Sequence, residues 1–195
     1  MKIFFDGKIF LTQKIGGISR LNFELMKALS QKKDVGQIFY HGFYVDAYPF
    51  KNEWFKKQYG VKKPFSHNHR AINFLDNMAM ELAHQFHNTR DVIFHALYYR
   101  IPKNHRGPVV VHAYDMIQEL FGGGAKTIQF KKKAFERADL IIAISESTKQ
   151  DICKLYSMRP DKIMIAYPGV SDIFFQNSSI ALAPKRPYML YVGAR

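Results

Sequence analysis

The sequence predicts a parallel α/β sheet with helices on both faces, and three observations carry that prediction. Short apolar runs alternate with segments of helical spacing, one run (Asp139 to Ile144, DLIIAI) is apolar on successive residues, and Gly and Pro punctuate the joins. A strand covered on both faces reads as such a continuous run, and parallel neighbours need crossovers, which are right-handed.

In order, Lys2 to Asp6 is the first predicted strand. A polar loop then leads to Gly16-Gly17, after which Ile18, Leu21, Leu25 and Leu29 recur at helical spacing. Gln37 to Tyr40 is a second strand, and the aromatic, basic stretch from about Phe43 to Phe65 fits either an extended loop or a short helix. Leu75, Met78, Ala79, Leu82 and Phe86 make one stripe of a helix. Val92 to His95 and Val109 to His112 are short buried-type strands, separated by a loop that contains Pro102 and Gly107-Pro108. Gly122 to Gly124 form a candidate mobile loop before a basic helix from about Thr127 to Arg137. After the DLIIAI strand, Ser145 or Ser147 caps the next helix, with Ser147 and Gln150 at capping-box spacing. Ile152, Leu155 and Tyr156 supply that helix's inner face, and Lys162 to Tyr167 is the next strand. Residues 1–176 therefore read as one domain. Residues 177–195 read as a linker and a further strand.

Composition narrows the class. The 195 residues are 47% hydrophobic and 23% charged, the balance of a folded globular domain, and no window approaches the ~18 apolar residues of a membrane-spanning helix. The first residues lack a signal-peptide core, so a cytoplasmic location is the default expectation. One cysteine, Cys153, excludes a disulfide framework or a cysteine zinc site within the chain and fits a core position. The net charge of +13 attracts polyanions, whether nucleic acid, anionic lipid or diphosphate. Lysine clusters such as Lys131-Lys132-Lys133 read as solvated faces. No helix-turn-helix, RNP or zinc signature accompanies the charge, so no nucleic-acid partner is expected.

Candidate chemistry sits where strands end. Gly16-Gly17 lies between the first strand and its helix, where backbone N–H groups and the positive helix end can face a phosphate or a developing anion. A plain tight turn explains the pair equally. His95, His112, Tyr114 and Asp115 follow strand ends and converge on the rim where such sheets bind ligands, although a histidine there also serves structure and Asp115 is a good N-cap. His112 with Asp115, and His84 with His87, lack further ligands to complete a metal site, so no metal is expected.

Set in order, these segments resemble glycosyltransferase family 4, through GGISRLNFELMKAL (16–29), VIFHALYYRIP (92–102), VVVHAYDMIQELF (109–121), ADLIIAISESTKQDICKLYSMRPDKIMIAYPGVSDIFF (138–175) and YVGAR (191–195). The resemblance implies a GT-B architecture, two Rossmann-like domains facing across a cleft, of which this chain supplies the N-terminal one. It implies retaining transfer of a sugar from a nucleotide diphosphate sugar, with no other cofactor, to a glycan or lipid-linked glycan in surface-polysaccharide synthesis. Gly16, Gly17 and Arg195 would then approach the donor phosphates, and Asp115 would line the acceptor side. His95, Tyr114 and His112 are further candidate catalytic positions, with Tyr114 standing where many members have histidine. Arg20, Glu146 and Lys149 are candidate cleft residues. The lysine after the arginine and the later glutamate pair of the family lie beyond residue 195, so the chain alone is expected to be incompetent for catalysis.

Such a half would act with a donor-binding domain on another chain, or stand as a non-catalytic acceptor-binding module. The strand at 188–193 would offer an exposed edge for self-association. Trp54, Phe55 and Tyr59 beside Lys56-Lys57 fit docking at the headgroups of an anionic membrane, which would place the protein at the inner membrane face.

Overall fold

A computed structural model describes residues 1–13, 16–41, 43–44, 61–62, 69–86, 88–171, 175 and 186–189. In chain order it comprises β1 (Lys2–Asp6), α1 (Lys8–Thr12), α2 (Gly17–Ser30), β2 (Gln37–His41), β3 (Phe43–Tyr44), β4 (Val61–Lys62) and α3 (His69–Phe86). There follow β5 (Val92–Ala96), β6 (Val109–Ala113), α4 (Ile117–Phe121), α5 (Ala125–Arg137), β7 (Leu140–Ala143), α6 (Glu146–Tyr156), a 3-10 turn at Pro160–Lys162 and β8 (Ile163–Ile165).

Six strands form one sheet in the order β2-β1-β5-β6-β7-β8, and every pairing is parallel. The Rossmann-like expectation is met. β3 and β4, in the stretch whose sequence fitted a loop or a helix, pair in parallel as a separate two-stranded sheet. From β1 the chain moves outward to β2, then returns on the other side at β5 and continues outward through β8. Crossovers that leave β1 and β5 in opposite directions open a crevice at the carboxyl ends of those strands, where sheets of this kind bind ligands.

The central strands carry the core. Phe94 and Ala96 of β5, Val109, Val111 and Ala113 of β6, and Ile141 and Ala143 of β7 are fully buried, packed with Phe135 of α5 and Ile152 of α6. A second cluster joins Phe5 of β1 to Phe10, Phe23 and Met26.

Several local expectations are corrected. The segment after β1 is not wholly a loop: α1 buries Ile9, Phe10 and Leu11, the first two in a cluster with Ile3 and Phe5 of β1, and Asp6 Oδ1 accepts the Lys8 N–H at 3.0 Å to start the turn. In α3 the predicted stripe faces outward, with Leu75, Met78 and Leu82 exposed. The buried face is Ile72, Asp76, Met80 and His84. Asp76 is held by Arg100, while the His84 ring lies among Phe4, Phe94 and His105, with Nδ1 against Met80 O at 3.0 Å. The ion pair to Arg100 and the ring contacts of His84 thus override the apolar count.

Ser145, not Ser147, caps α6, its Oγ accepting the Thr148 N–H at 3.1 Å, and Leu155 is exposed while Ile152 is buried. Cys153 is half-buried beside the core. Gly122, Gly123 and Gly124 all have positive φ, a backbone that other residues rarely adopt, and they turn the chain between α4 and α5. Trp54, Phe55, Tyr59, His87 and most of residues 177–195, including the strand expected at 188–193 beyond Met189, lie outside the described residues.

Candidate functional site

The crevice at the switch point is built from the end of β1, the amino end of α2 and the segments that follow β5 and β6. Gly16 and Gly17 open α2, and no side chain of the cap residue satisfies the helix end. Instead Gln13 Oε1 accepts the Ser19 N–H at 2.9 Å, and Ser19 Oγ donates to Gly16 O at 3.0 Å. Among the described residues, nothing lies within 4 Å of where a Cβ on Gly17 would stand, which leaves the backbone there open to a ligand.

One turn along α2, Asn22 is fully buried. Its Nδ2 donates to Ile18 O at 2.9 Å and to the Tyr114 phenol at 2.8 Å, and the phenol donates to Leu97 O at 3.1 Å. Below Tyr114 runs a ladder of rings. His112 stacks on Tyr114 with centroids 5.4 Å apart, His95 stacks on His112 at 5.4 Å, and Phe5 stacks on His95 at 5.1 Å. His95 Nε2 and His112 Nδ1 share a hydrogen bond of 3.2 Å. Burial pulls His95 down to about 3, with the neighbouring His112 adding to the effect, and burial alone pulls His112 down to about 4. Burial likewise raises the Tyr114 phenol far above its ordinary range, against the opposing Asn22 bond. At neutral pH the ladder is therefore uncharged. It positions and hydrogen-bonds rather than supplying a charged acid or base.

A charged cluster lies beside it. Asp6, at the end of β1, accepts Arg100 Nε at 2.9 Å through Oδ1, and a second Arg100 N–H pairs with the same oxygen. Arg100 also pairs with Asp76 of α3 and donates to Asn77 Oδ1 at 2.8 Å, while Lys8 Nζ donates to Asn73 Oδ1. Burial works against the guanidinium charge, but Asp6 and Asp76 outweigh it and hold Arg100 above its ordinary range. Asp6 Oδ2 and Asn22 Oδ1 are buried acceptors with no hydrogen-bond partner among the described residues, so two polar atoms stay unsatisfied inside the fold beside the ladder.

The other sequence candidates are dispersed along the same edge. Asp115 follows β6, where its Oδ1 accepts the Ile117 N–H at 3.1 Å, so it starts α4 with its carboxylate still 45% exposed. Its carbonyl accepts Lys131 Nζ at 2.8 Å. Lys131 also donates to Gln118 Oε1 at 2.9 Å and Glu119 Oε2 at 3.1 Å and is 2% exposed, which corrects the solvated reading of that lysine and leaves Lys132 and Lys133 outside. Arg20 is exposed on α2. Glu146 is exposed and Lys149 half-buried in the first turn of α6, with Glu146 Oε1 accepting from Gln150 at 3.4 Å. Arg195 lies outside the described residues. The structure thus stacks His95, His112 and Tyr114 and ties Tyr114 through Asn22 to the helix that Gly16 and Gly17 open, while Thr148 Oγ1, between Glu146 and Lys149 in the first turn of α6, donates to Tyr114 O at 3.3 Å.

Sequence reasoning missed Gln13, Asn22, Asp6, Asp76 and Arg100. Asp6 carried a usable signal, because it ends an apolar strand just as His95 does. Arg100 and Asp76 carried none.

Residues 15–172 match the sequence pattern of Glycosyltransferase Family 4. The chain belongs to Glycosyltransferase Family 4. In fold, this family 4 chain is similar to Anabaena Alr3699/HepE in complex with UDP, at 13% identity and a TM-score of 0.57, over 91% of this chain and 46% of that one. The same protein in complex with UDP-glucose gives 15%, 0.59, 92% and 47%. A glycosyltransferase from Rickettsia africae ESF-5 gives 14%, 0.52, 93% and 46%. At these identities the likeness is one of fold, that of the N-terminal half of GT-B proteins, and the chain spans about half the length of each. No curated protein matches the family 4 chain in sequence.

Proposed function

We propose that this family 4 domain is the acceptor-side half of a retaining glycosyltransferase that moves a hexosyl group from a nucleotide diphosphate sugar to a hydroxyl of a glycan or lipid-linked glycan in surface-polysaccharide synthesis. The observation that carries this reading is the glycine-opened amino end of α2 at the switch point, in a domain of this family. Backbone N–H groups at a helix amino end stabilise phosphate, and the fold-related Alr3699/HepE is described with UDP and UDP-glucose. The neutral ladder of His95, His112 and Tyr114 fixes the wall of the crevice. Asp115 keeps a partly exposed carboxylate where an acceptor hydroxyl would approach.

Transfer of this kind asks for positioning and for stabilisation of the departing diphosphate more than for side-chain acid-base chemistry. Catalysis would need a second, donor-binding domain to contribute the remaining phosphate and ribose contacts, with Arg195 at its start. The net charge of +13 favours anionic substrates and an anionic membrane surface.

Titrating the chain with UDP-glucose while following backbone amide NMR shifts tests the donor half of the reading. Shifts centred on Gly16 to Ser19, with binding no tighter than about millimolar for this half alone, are expected. Shifts confined to other segments would refute the placement. Transfer to a lipid-linked glycan by the chain alone would refute the need for a second domain, and an inverted anomeric product would refute retention.

A further inference from the structure

The opposite edge of the sheet, at the amino ends of β5 and β6, holds a cavity of about 410 Å³. Two turns wall it. The turn from α3 into β5 supplies Asn88, Thr89 and Arg90, the loop into β6 supplies Asn104 and Arg106, and His84 and Gln85 of α3 close one side. Among the described residues, no carboxylate lines the cavity and neither Arg90 nor Arg106 has an ion-pair partner.

One hydrogen bond joins the two turns, and two more brace the first of them. Arg106 N donates to Thr89 Oγ1 at 3.0 Å, Arg90 N donates to Asn88 Oδ1 at 3.2 Å, and Val92 N donates to Thr89 O at 3.2 Å. Gly107 is pressed so closely on this turn that a Cβ would stand 2.3 Å from the carbonyl oxygens of both Thr89 and Val92. Each turn therefore presents one guanidinium from a fixed base, and a ligand that bridges them has little ordering cost to meet.

Guanidinium groups recognise phosphate through paired N–H donors, and side-chain amides serve hydroxyls as donor and acceptor. The volume falls within the ~300–1,000 Å³ of small-molecule sites, but the lining is polar rather than apolar, which selects a polar ligand. We propose that this cavity is a second binding site, distinct from the switch-point crevice, which holds a phosphate ester between Arg90 and Arg106, with the amides of Gln85, Asn88 and Asn104 facing the group that carries the phosphate. That group is a sugar or the headgroup of an anionic lipid. The site stands independently of the transfer reaction proposed above.

Three probes test it on the 195-residue chain: inorganic phosphate and glucose 6-phosphate by calorimetry, and vesicles of phosphatidylglycerol in phosphatidylcholine by co-sedimentation. The variant Arg90→Ala/Arg106→Ala changes two exposed side chains, and circular dichroism checks that its fold is kept. Binding of at least one probe, weakened about tenfold or more in this variant and partly restored by Arg90→Lys/Arg106→Lys, is expected. Loss with glucose 6-phosphate identifies a soluble sugar phosphate; loss with vesicles alone identifies a lipid headgroup. Lys132→Ala/Lys133→Ala removes the same charge from an exposed face elsewhere and should bind as the parent does. The proposal is overturned if no probe binds up to about 10 mM. It is equally overturned if the arginine variant binds undiminished, or if the lysine variant loses as much, which would make the binding diffuse electrostatics.

Discussion

Asn22 of α2 donates its side-chain amide to the Tyr114 phenol at 2.8 Å across 92 residues of sequence. Because that phenol in turn donates to Leu97 O, one buried hydroxyl ties the glycine-opened helix to the segments that follow β5 and β6. Tyr114→Phe removes the hydroxyl and leaves Leu97 O without this donor, while the Asn22 amide keeps only Ile18 O. A loss of about 1–3 kcal/mol in urea unfolding is expected. An unchanged midpoint would show that the contact contributes nothing.

Three histidines set an acid limit. Burial holds His95 at about 3, and His112 and His105 at about 4, against about 6.5 in an unfolded chain. Their folded values are depressed, so the unfolded state takes up more protons as pH falls below about 6.5, and stability drops from there toward the folded values. Each histidine contributes a slope of up to about 1.4 kcal/mol per pH unit. Urea midpoints should be flat above about pH 7 and fall between about pH 6.5 and 5, before most carboxylates titrate. His105→Gln should make that fall shallower. A flat profile to pH 5 would contradict the neutral burial of these rings.

The sheet was legible in the sequence because buried parallel strands are uninterrupted apolar runs, as DLIIAI shows. Strand order is not written locally, so the switch point between β1 and β5 had to come from the structure. The five residues of α1 are too few to display a helical period. In α3 an apolar count chose Leu75, Met78 and Leu82, whereas the buried positions Asp76 and His84 are drawn inward by Arg100 and by the rings of Phe4, Phe94 and His105. Lys131 shows the same limit, since nothing in a lysine triplet marks the one whose Nζ reaches three acceptors and is itself buried.

Arg100 joins Asp6 of β1 to Asp76 of α3, with both carboxylates buried and the guanidinium nearly so. Arg100→Met would remove the cation that both buried acids share, at a cost of about 3–5 kcal/mol. Burial already raises the Asp6 carboxyl against the pull of Arg100, and without Arg100 its protonation would relieve part of that cost, so the variant should recover more than the parent does as pH is lowered from 8 to 6. Thermal unfolding at the two pH values measures this. Equal losses at both would mean that packing, not charge, accounts for the effect.

Gly107 and Gly16 both lack room for a Cβ, but the obstacles differ. At Gly107 the new atom would meet the backbone oxygens of Thr89 and Val92 at 2.3 Å, and these belong to a turn already held by Arg106 N on Thr89 Oγ1. Backbone cannot swing aside, so Gly107→Ala should cost about 1–3 kcal/mol or more and disturb the arginine-lined cavity. At Gly16 the nearest atoms, 2.1 Å away, are the far end of the Gln13 side chain, and a φ of 177° is extended backbone open to any residue. Gln13 can rotate away, giving up its bond to the Ser19 N–H, so Gly16→Ala should cost about 0.5–1.5 kcal/mol. Thermal melting of the two variants side by side gives the order, and a greater loss for Gly16→Ala would mean that Gln13 is held in place by more than that one bond.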